Sequence, residues 1–297
     1  MLDSGEIMAN RWIMAARPKT LPAAIVPVWC GCVLAWKLTG EWSAWLAFCT
    51  VAGAVCIQIA TNFFNDAIDA DKGADTKARL GPTRVTASGL LSRRAVYGIA
   101  MVFLLLAIIC GVVLFRAAGW PILWIGLPSL YLAYGYTGGP FPLAYRGMGE
   151  LFVVAFFGVI AVSGTVYVQT LQWREEALLL GFQVGLLSAV LISINNLRDR
   201  AEDATTGKNT LAVRLGELPA RLVIWVEIKM AAICGIFWFK HSLPNFAAVS
   251  LPIWLLGGYL SWRCFREPIG VGLNKWLAVG GMLLVLFAIV FQLSALF

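Results

Sequence analysis

The chain has 297 residues, of which 60% are hydrophobic and only 13% are charged, and its formal net charge is +7. Because charged residues make up about a quarter of a typical soluble domain, this composition excludes an ordinary soluble protein and indicates a helical membrane protein. The basic residues flank apolar runs instead of forming a separate basic surface, so we expect no nucleic-acid partner.

The cysteines and the histidine offer no catalytic or metal-binding pattern. The seven cysteines lie almost entirely within apolar runs, and His241 is the only histidine. No CxxC pair or Cys/His cluster occurs in the sequence, which argues against a zinc site and against a Ser-His-Asp triad. We interpret the cysteines as buried, unreactive thiols.

The hydrophobic pattern predicts nine membrane spans in a single domain, 1–297. Residues 1–19 are polar to amphipathic and predict an interfacial N-terminal helix. The apolar runs that follow are close to the length needed to cross a hydrocarbon core of about 30 Å. They lie at about 20–37, 43–64, 95–115, 120–137, 149–170, 177–197, 219–239, 245–262 and 276–296. The expected fold is therefore an all-α membrane protein with nine transmembrane helices, arranged as two four-helix halves plus a ninth helix.

The loop charges predict the orientation. With nine spans, 18 Lys and Arg residues fall on the side of the N-terminus and four fall on the opposite side. The positive-inside rule then places the N-terminus in the cytoplasm. Two long loops, 65–94 and 198–218, are predicted on the same cytoplasmic face, and we expect them to form the active site.

Two polar clusters end the second and sixth apolar runs. The first contains four carboxylates and two carboxamides within Asn62-Phe-Phe-Asn65-Asp66-Ala-Ile-Asp69-Ala-Asp71-Lys72-Gly73-Ala-Asp75, and the second is Asn195-Asn196-Leu-Arg198-Asp199-Arg-Ala-Glu202-Asp203. An Asp at a bilayer centre costs about 2.5–3.5 kcal/mol on insertion scales, so polar clusters at membrane depth usually have a function. If the helices continue into the clusters, residues four apart share a face.

The composition of the clusters favours a metal–diphosphate site. Carboxylate and carboxamide oxygens suit a hard cation that also binds substrate phosphates, and Lys and Arg can neutralise the remaining phosphate charge. The nearby basic residues are Lys72, Lys77, Arg79, Arg84, Arg198, Lys208 and Arg214. For Arg84, Lys208 and Arg214 a simple positive-inside flank remains an equal alternative. Solvated loops with helix caps are the alternative for the acidic clusters.

These motifs resemble the UbiA superfamily of intramembrane prenyltransferases, along nearly the whole chain. The similarity is carried by Asn65-Asp-x-x-Asp69, by Asn195-Asn-x-Arg-Asp199-x-x-x-Asp203 and by Gly207-Lys208-x-Thr-Leu-x-Val-Arg214. The chain is most similar to the 1,4-dihydroxy-2-naphthoate polyprenyltransferase (MenA) branch. Four motifs favour that branch: Arg17-Pro-Lys19-Thr20-Leu-Pro22, the Lys72-Gly73-x-Asp75 variant of the first cluster, Gly81-Pro82-x-Arg84, and Tyr136-Thr-Gly-Gly-Pro140 with Tyr145-Arg146-Gly147-x-Gly149-Glu150.

The resemblance implies a reaction and a set of site residues. A polyprenyl group would pass from its diphosphate to the naphthoate ring with Mg²⁺ as cofactor, releasing diphosphate and CO₂ and giving demethylmenaquinol for menaquinone synthesis. The implied catalytic residues are Asn65, Asp66, Asp69, Asp199 and Asp203, and all of these except Asp66 are also implied metal ligands. The implied substrate-binding residues are Arg17, Lys19, Asn62, Lys72, Asp75, Arg84, Tyr145, Arg146, Glu150, Asn195, Asn196, Arg198, Lys208 and Arg214.

Three points stay open at this stage. A related prenyltransferase with another acceptor, such as 4-hydroxybenzoate or homogentisate, is the first alternative. A secondary transporter is the second, although both clusters lie at one membrane face and transporter sites lie near the midplane. Arg146 and Glu150 form either an i, i+4 ion pair or part of the acceptor pocket. We expect a multi-pass protein of the bacterial inner membrane.

Overall fold

The computed structural model describes residues 11–75 and 80–297. Within these ranges the ordered elements are helices, and no strand occurs. In chain order the main helices are α1 (Pro22–Thr39), α2 (Ala44–Asp71), α3 (Arg93–Ala118), α4 (Pro121–Gly135), α5 (Gly149–Thr170), α6 (Glu175–Thr205), α7 (Leu211–Leu215), α8 (Glu217–Phe239), α9 (residues 244–266) and α10 (Leu273–Ala295). The predicted interfacial helix is helical over residues 11–16, and its first ten residues lie outside the described ranges.

Seven of the described helices are long and apolar enough to cross a membrane: α1, α2, α3, α5, α6, α8 and α10. The protein is therefore an integral, multi-pass helical membrane protein. The other two predicted spans coincide with helical stretches that are either shorter or less regular. Helix α4 has only 15 residues, and α9 combines a 3₁₀ turn (Pro244–Val249), a π-helical turn (Ile253–Gly257) and a final α-helical segment (Gly258–Arg266).

The two helices that end in polar clusters are the longest in the described structure. Helix α2 has 28 residues and α6 has 31, which correspond to about 42 and 46 Å at about 1.5 Å per residue. Both exceed the hydrocarbon thickness of about 30 Å. Except for Asp75, the acidic residues of both clusters are therefore helical, and the loops begin later than the predicted 65 and 198. Gly73 ends α2, with a left-handed φ of 65° directly after the cap residue Lys72.

Helices α5 and α6 approach each other closely through glycines. A π-helical turn, Val154–Ile160, interrupts α5 and presents Gly158 to Gly181 and Gly185 of α6. A Cβ atom at Gly158 would lie 2.2 Å from the Gly181 carbonyl oxygen and 2.4 Å from the Gly185 Cα. Small residues spaced four apart allow such backbone contact in membranes, where van der Waals packing drives helix association.

The largest hydrophobic core joins α1, α5, α6, α8, α9 and α10, and a second core joins α2, α3 and α4 with residues 12–16. Aromatic side chains fill the first core beneath α8, where Trp238, Phe246, Phe287 and Phe291 are all fully buried. A cavity opens between these two cores, and the ends of α2 and α6 lie beside it.

Candidate active site

Lys208 joins the two acidic clusters. Its Nζ lies 3.9 Å from Asp69 Oδ2 on α2 and 3.9 Å from Asp203 Oδ1 on α6. Asp69 and Asp203 are both buried, with exposed fractions of 3% and 6%. The two clusters therefore face each other, and the ammonium group of Lys208 lies between them.

Asp69 contacts a tyrosine and an arginine in addition to Lys208. The Tyr145 hydroxyl donates a hydrogen bond of 2.9 Å to Oδ1, and Arg84 Nη2 lies 3.5 Å from Oδ2. Arg84 Nε lies 3.4 Å from Asp75 Oδ1, so the guanidinium connects two carboxylates. Burial raises the pKa of the Tyr145 hydroxyl and the negative charge of Asp69 raises it further, so this group remains a donor at neutral pH.

Lys72 lies beside this group, just after the end of α2. Its Nζ donates to the Thr137 carbonyl oxygen at 2.7 Å and lies 3.9 Å from the centroid of the Tyr145 ring. Burial lowers the pKa of Lys72; Asp69 opposes this effect, and the positive charge of Lys208 adds to it. Two ammonium groups and one guanidinium thus surround Asp69, which is suited to binding a polyanion.

Asp66 faces the loop after α2 instead of the other acids. Its carboxylate accepts backbone hydrogen bonds from Thr86 N at 2.8 Å and Val85 N at 3.3 Å, and Arg17 Nη2 lies 3.9 Å away. These contacts hold the loop that carries Arg84. Asp66 therefore supports the site by positioning this loop.

Asn62 connects α2 to the N-terminal segment. Its Nδ2 donates to the Ala16 carbonyl oxygen at 2.8 Å and to Thr20 Oγ1 at 2.9 Å, while its Oδ1 accepts from Gln58 Nε2 at 3.3 Å. One turn further along, Asn65 Oδ1 accepts a short hydrogen bond from the Thr137 hydroxyl. The side chains of Asn62 and Asn65 are therefore held by hydrogen bonds, and they connect α2 to the N-terminal segment and to Thr137.

Arg198 is the centre of the second cluster and is 1% exposed. It binds both oxygens of Asp199, at 2.7 and 2.6 Å, and donates to Asn195 Oδ1 at 2.7 Å and to Asn274 Oδ1 at 2.6 Å. Removing one partner of such a buried pair typically costs about 3–5 kcal/mol. Arg198 therefore fixes the position of the Asp199 carboxylate, and each of its two oxygens keeps a further lone pair for another contact.

The contacts of Glu150 favour a place in the acceptor pocket over an i, i+4 ion pair with Arg146. Its Oε1 accepts from Asn196 Nδ2 at 2.8 Å, and it lines the cavity together with Asn196. Arg146 is exposed and its guanidinium lies 3.7 Å from the centroid of the Phe141 ring, away from the cavity lining. Arg214 is exposed too, and its Nε donates to the Asn209 carbonyl oxygen at 3.3 Å.

The cavity beside these groups has a volume of about 1500 Å³ and extends from the polar clusters between apolar helix faces. The predicted site residues that line it are Arg17, Lys19, Asn62, Asn65, Asp69, Arg84, Glu150, Asn195, Asn196 and Lys208. Those behind or beside this lining are Asp66, Lys72, Asp75, Tyr145, Arg146, Arg198, Asp199, Asp203 and Arg214. Lys77 and Arg79 lie outside the described residues.

The apolar part of the cavity is suited to a long hydrocarbon chain. Its walls include Phe152, Phe156 and Phe157 of α5, with the Phe152 and Phe156 rings stacked at 4.3 Å. Residues from α3, α4 and α10 complete the walls, among them Val112, Leu127 and Met282, which are exposed. A ligand with a polar head and an apolar tail would match this division.

The donor set fits a magnesium ion that also binds a diphosphate. Among the described residues, no three His, Cys, Asp or Glu side chains come close enough to form a metal site alone. Mg²⁺ is commonly held by one or two carboxylates plus substrate phosphates and waters, so Asp69 and Asp203 suffice. Asp203 Oδ2 is also buried without a hydrogen-bond partner in the described structure.

Two contributors, Asn274 and Thr137, were not among the predicted site residues. Asn274 of α10 binds Arg198 and also donates to the Leu80 carbonyl oxygen at 3.1 Å, so it ties the second cluster to the loop after α2. Thr137 contacts both Asn65 and Lys72. A polar residue at the start of an apolar run is the only signal that could have indicated Asn274.

Comparison with known proteins identifies relatives along the whole chain. The model of the UbiA prenyltransferase family matches residues 24–287. A 1,4-dihydroxy-2-naphthoate octaprenyltransferase of Mycobacterium tuberculosis is 37% identical over 288 residues, covering 92% of this chain and 96% of the relative. The Escherichia coli protein of the same name is 35% identical over 216 residues, covering 71% of this chain and 70% of the relative.

Solved structures show the same fold. A UbiA homolog from Archaeoglobus fulgidus bound to DMAPP and Mg²⁺ superimposes with a TM-score of 0.68 at 15% sequence identity, covering 96% of this chain and 99% of that chain. At this identity the similarity establishes the fold. The family match and the solved structures therefore agree with the all-helical fold described above.

Proposed function

Because this chain belongs to the UbiA prenyltransferase family, we propose that it transfers a polyprenyl group from polyprenyl diphosphate to 1,4-dihydroxy-2-naphthoate, with loss of CO₂ and diphosphate. The product is demethylmenaquinol, an intermediate of menaquinone biosynthesis. The observation that carries the proposal is the convergence of Asp69, Asp203 and Lys208 at the polar end of an apolar cavity. The family and the aromatic prenyltransferase activity predicted from the sequence are confirmed by the relatives.

In this proposal, the charged residues around Asp69 bind the diphosphate. We assign metal ligation to Asp69 and Asp203, with Asn65 and Asp199 adjoining, and phosphate binding to Lys208, Lys72 and Arg84. Mg²⁺, when bound, would neutralise the diphosphate and make it a better leaving group. Lys and Arg interactions with the diphosphate strengthen as negative charge builds on it, so they favour breaking of the allylic C–O bond.

The cavity keeps the allylic cation away from water. Its apolar walls exclude solvent, and the faces of Phe152, Phe156 and Phe157 can stabilise positive charge. The acceptor binds on the α5–α6 side, beside Glu150, Asn195 and Asn196, and the prenyl tail extends along the apolar part. Arg17 and Lys19 line the same cavity and are suited to bind the carboxylate of the acceptor.

We further propose nine membrane spans with the N-terminus in the cytoplasm of a bacterial cell, so that the active site faces the cytoplasm. The helical stretches α4 and 244–266 supply the two additional spans. Loop charge supports the orientation. A C-terminal alkaline phosphatase fusion should then be active in the periplasm and a C-terminal fluorescent-protein fusion dark; the reverse pattern contradicts the topology.

The activity is tested with purified protein, Mg²⁺ and geranylgeranyl diphosphate in parallel reactions with 1,4-dihydroxy-2-naphthoate, 4-hydroxybenzoate and homogentisate. We expect prenylated naphthoquinol by mass spectrometry only with the naphthoate. Turnover with another acceptor alone would retain the mechanism and change the substrate. The absence of turnover with every acceptor, in protein shown to be folded, would contradict the proposal and favour the transporter alternative.

A further inference from the structure

An acidic residue that the diphosphate site does not use lies within α8. Glu227 is 6% exposed, and the Ser193 hydroxyl of α6 donates a hydrogen bond of 2.8 Å to its Oε1. Its Oε2 is buried without a hydrogen-bond partner among the described residues. Burying an acid at membrane depth is unfavourable, so such residues usually have a function.

Glu150 of α5 shows the same arrangement. One carboxylate oxygen accepts from Asn196, and the other, Oε2, is buried without a hydrogen-bond partner in the described structure. Glu150 also lines the cavity, with the Tyr136 ring and the carboxamide of Asn196 beside it. It therefore offers an unused acceptor oxygen where the aromatic substrate binds.

The two acids belong to one group. Ser193 and Asn196, which hold them, are three residues apart on α6 and so share a face. Glu150 and Ser193 line the same small space beside α7 and α8, and Ser193 in turn donates its hydrogen bond to Glu227. Two carboxylates held by neighbouring side chains of α6 in an apolar interior repel each other, which favours a pair that holds one proton between its members.

We propose that Glu150 accepts the hydroxyl proton of the aromatic acceptor and that Glu227 is its proton-sharing partner; this inference rests on the proposed prenyltransferase function. The O–H bond of the acceptor breaks toward Glu150, and its electron pair enters the ring. The ring forms the new C–C bond as the allylic C–O bond breaks, and the electrons of that bond leave with the diphosphate. When CO₂ departs, its bonding electrons return through the ring to the oxygen, which takes the proton back from Glu150.

The test is a double-mutant cycle with Glu150→Gln and Glu227→Gln. Gln keeps an oxygen that accepts from Asn196 or Ser193 and removes only the proton-accepting carboxylate. We expect E150Q to lower kcat with the naphthoate acceptor by about 100-fold or more, as for loss of a general base. We expect E227Q to lower kcat by about 10-fold, and the double variant to be no slower than E150Q alone because Glu227 acts through Glu150.

Two further measurements distinguish this role from a structural one. The KM for prenyl diphosphate and the Mg²⁺-dependent binding of geranylgeranyl thiolodiphosphate should stay within about twofold of wild type in all three variants, since an acid-base role spares diphosphate binding. Lys229→Gln serves as a matched control, because Lys229 lies on the same helix against the Trp254 ring. Its kcat should equal that of wild type.

Unchanged kcat in E150Q or E227Q, or effects that multiply in the double variant, would overturn the proposal. A loss of analogue binding that accompanies the loss of kcat would overturn it as well, since the acids would then serve the diphosphate site or the fold. Failure of the proposed function itself is distinct, because the wild-type protein would then prenylate no aromatic acceptor.

Discussion

The ammonium group of Lys208 lies 3.9 Å from a carboxylate oxygen of Asp69, although one residue follows α6 and the other belongs to α2. The same ammonium lies 3.9 Å from Asp203, so it occupies the position between the two clusters. When a diphosphate binds together with a divalent cation, Asp69 and Asp203 can bind the cation and Lys208 can bind the phosphate oxygens. The catalytic account depends on this contact.

Asp69→Asn should lower turnover by about 100-fold or more, because a neutral carboxamide holds a divalent cation much more weakly than a carboxylate does. The matched control is Asp71→Asn on the same helix. Asp71 pairs with the exposed Arg93 at 2.7 Å, outside the cavity, and its variant should keep nearly full activity. Steady-state kinetics with varied Mg²⁺ provide the measurement, and equal losses in the two variants would contradict the assignment.

Lys208→Gln should lower kcat/KM for prenyl diphosphate by roughly 10- to 100-fold, since a hydrogen bond to a charged group is worth about 1.5–3 kcal/mol. Lys208→Arg should recover part of this loss because the charge remains. Kinetics at saturating acceptor isolate the effect. A Lys208→Gln variant that changes only the KM of the acceptor would place the diphosphate elsewhere.

Binding of a prenyl diphosphate analogue should weaken as pH rises through the pKa of Lys72, which burial holds below its ordinary value. The charged ammonium attracts the anion, so affinity is complete below this pKa and is lost above it. For a partly exposed charge pair the loss is about 1 kcal/mol, or about fivefold. In Lys72→Arg, whose side chain stays charged, titration calorimetry from neutral to alkaline pH should show no such loss. If the affinity of Lys72→Arg declined equally at alkaline pH, a titrating group other than Lys72 would be responsible.

Gly158→Ala should destabilise the protein by about 1–3 kcal/mol, because the added methyl group would collide with the α6 backbone at Gly181 and Gly185. The control is Gly98→Ala on α3, where an added Cβ meets no atom within 4 Å. Thermal unfolding in detergent measures both variants. Equal Tm values would show that α5 and α6 can separate without cost.

Helix positions and the acidic clusters could be predicted from the sequence because they depend on local patterns. Apolar runs correspond to helices in the structure, and an i, i+4 spacing places Asn65 and Asp69 on neighbouring turns of α2. Side-chain partners could not be predicted in this way. Asp69 is bound by Tyr145, and Asp66 by backbone N–H groups of the next loop, and these choices depend on packing between distant segments.

The same limit explains the helix irregularities. The π-helical turn in α5 follows from the backbone contact of Gly158 with α6, which no pattern within α5 alone predicts. Asn274 is another example, because its importance comes from Arg198 and Leu80, which lie far away in the chain. Resemblance to a family indicated which acids belong together, whereas the structure shows what holds each of them.

Mg²⁺-dependent binding of geranylgeranyl thiolodiphosphate, an analogue that does not readily ionise, tests the central claim most directly. Titration calorimetry would compare wild type with Asp69→Asn, Asp203→Asn and the Asp71→Asn control, each with Mg²⁺ or with EDTA. We predict binding to wild type and to Asp71→Asn only when Mg²⁺ is present, and weakening by at least tenfold in the other two variants. Binding that is equally tight in EDTA, or unaffected by both Asp69→Asn and Asp203→Asn, would contradict a metal–diphosphate site between α2 and α6.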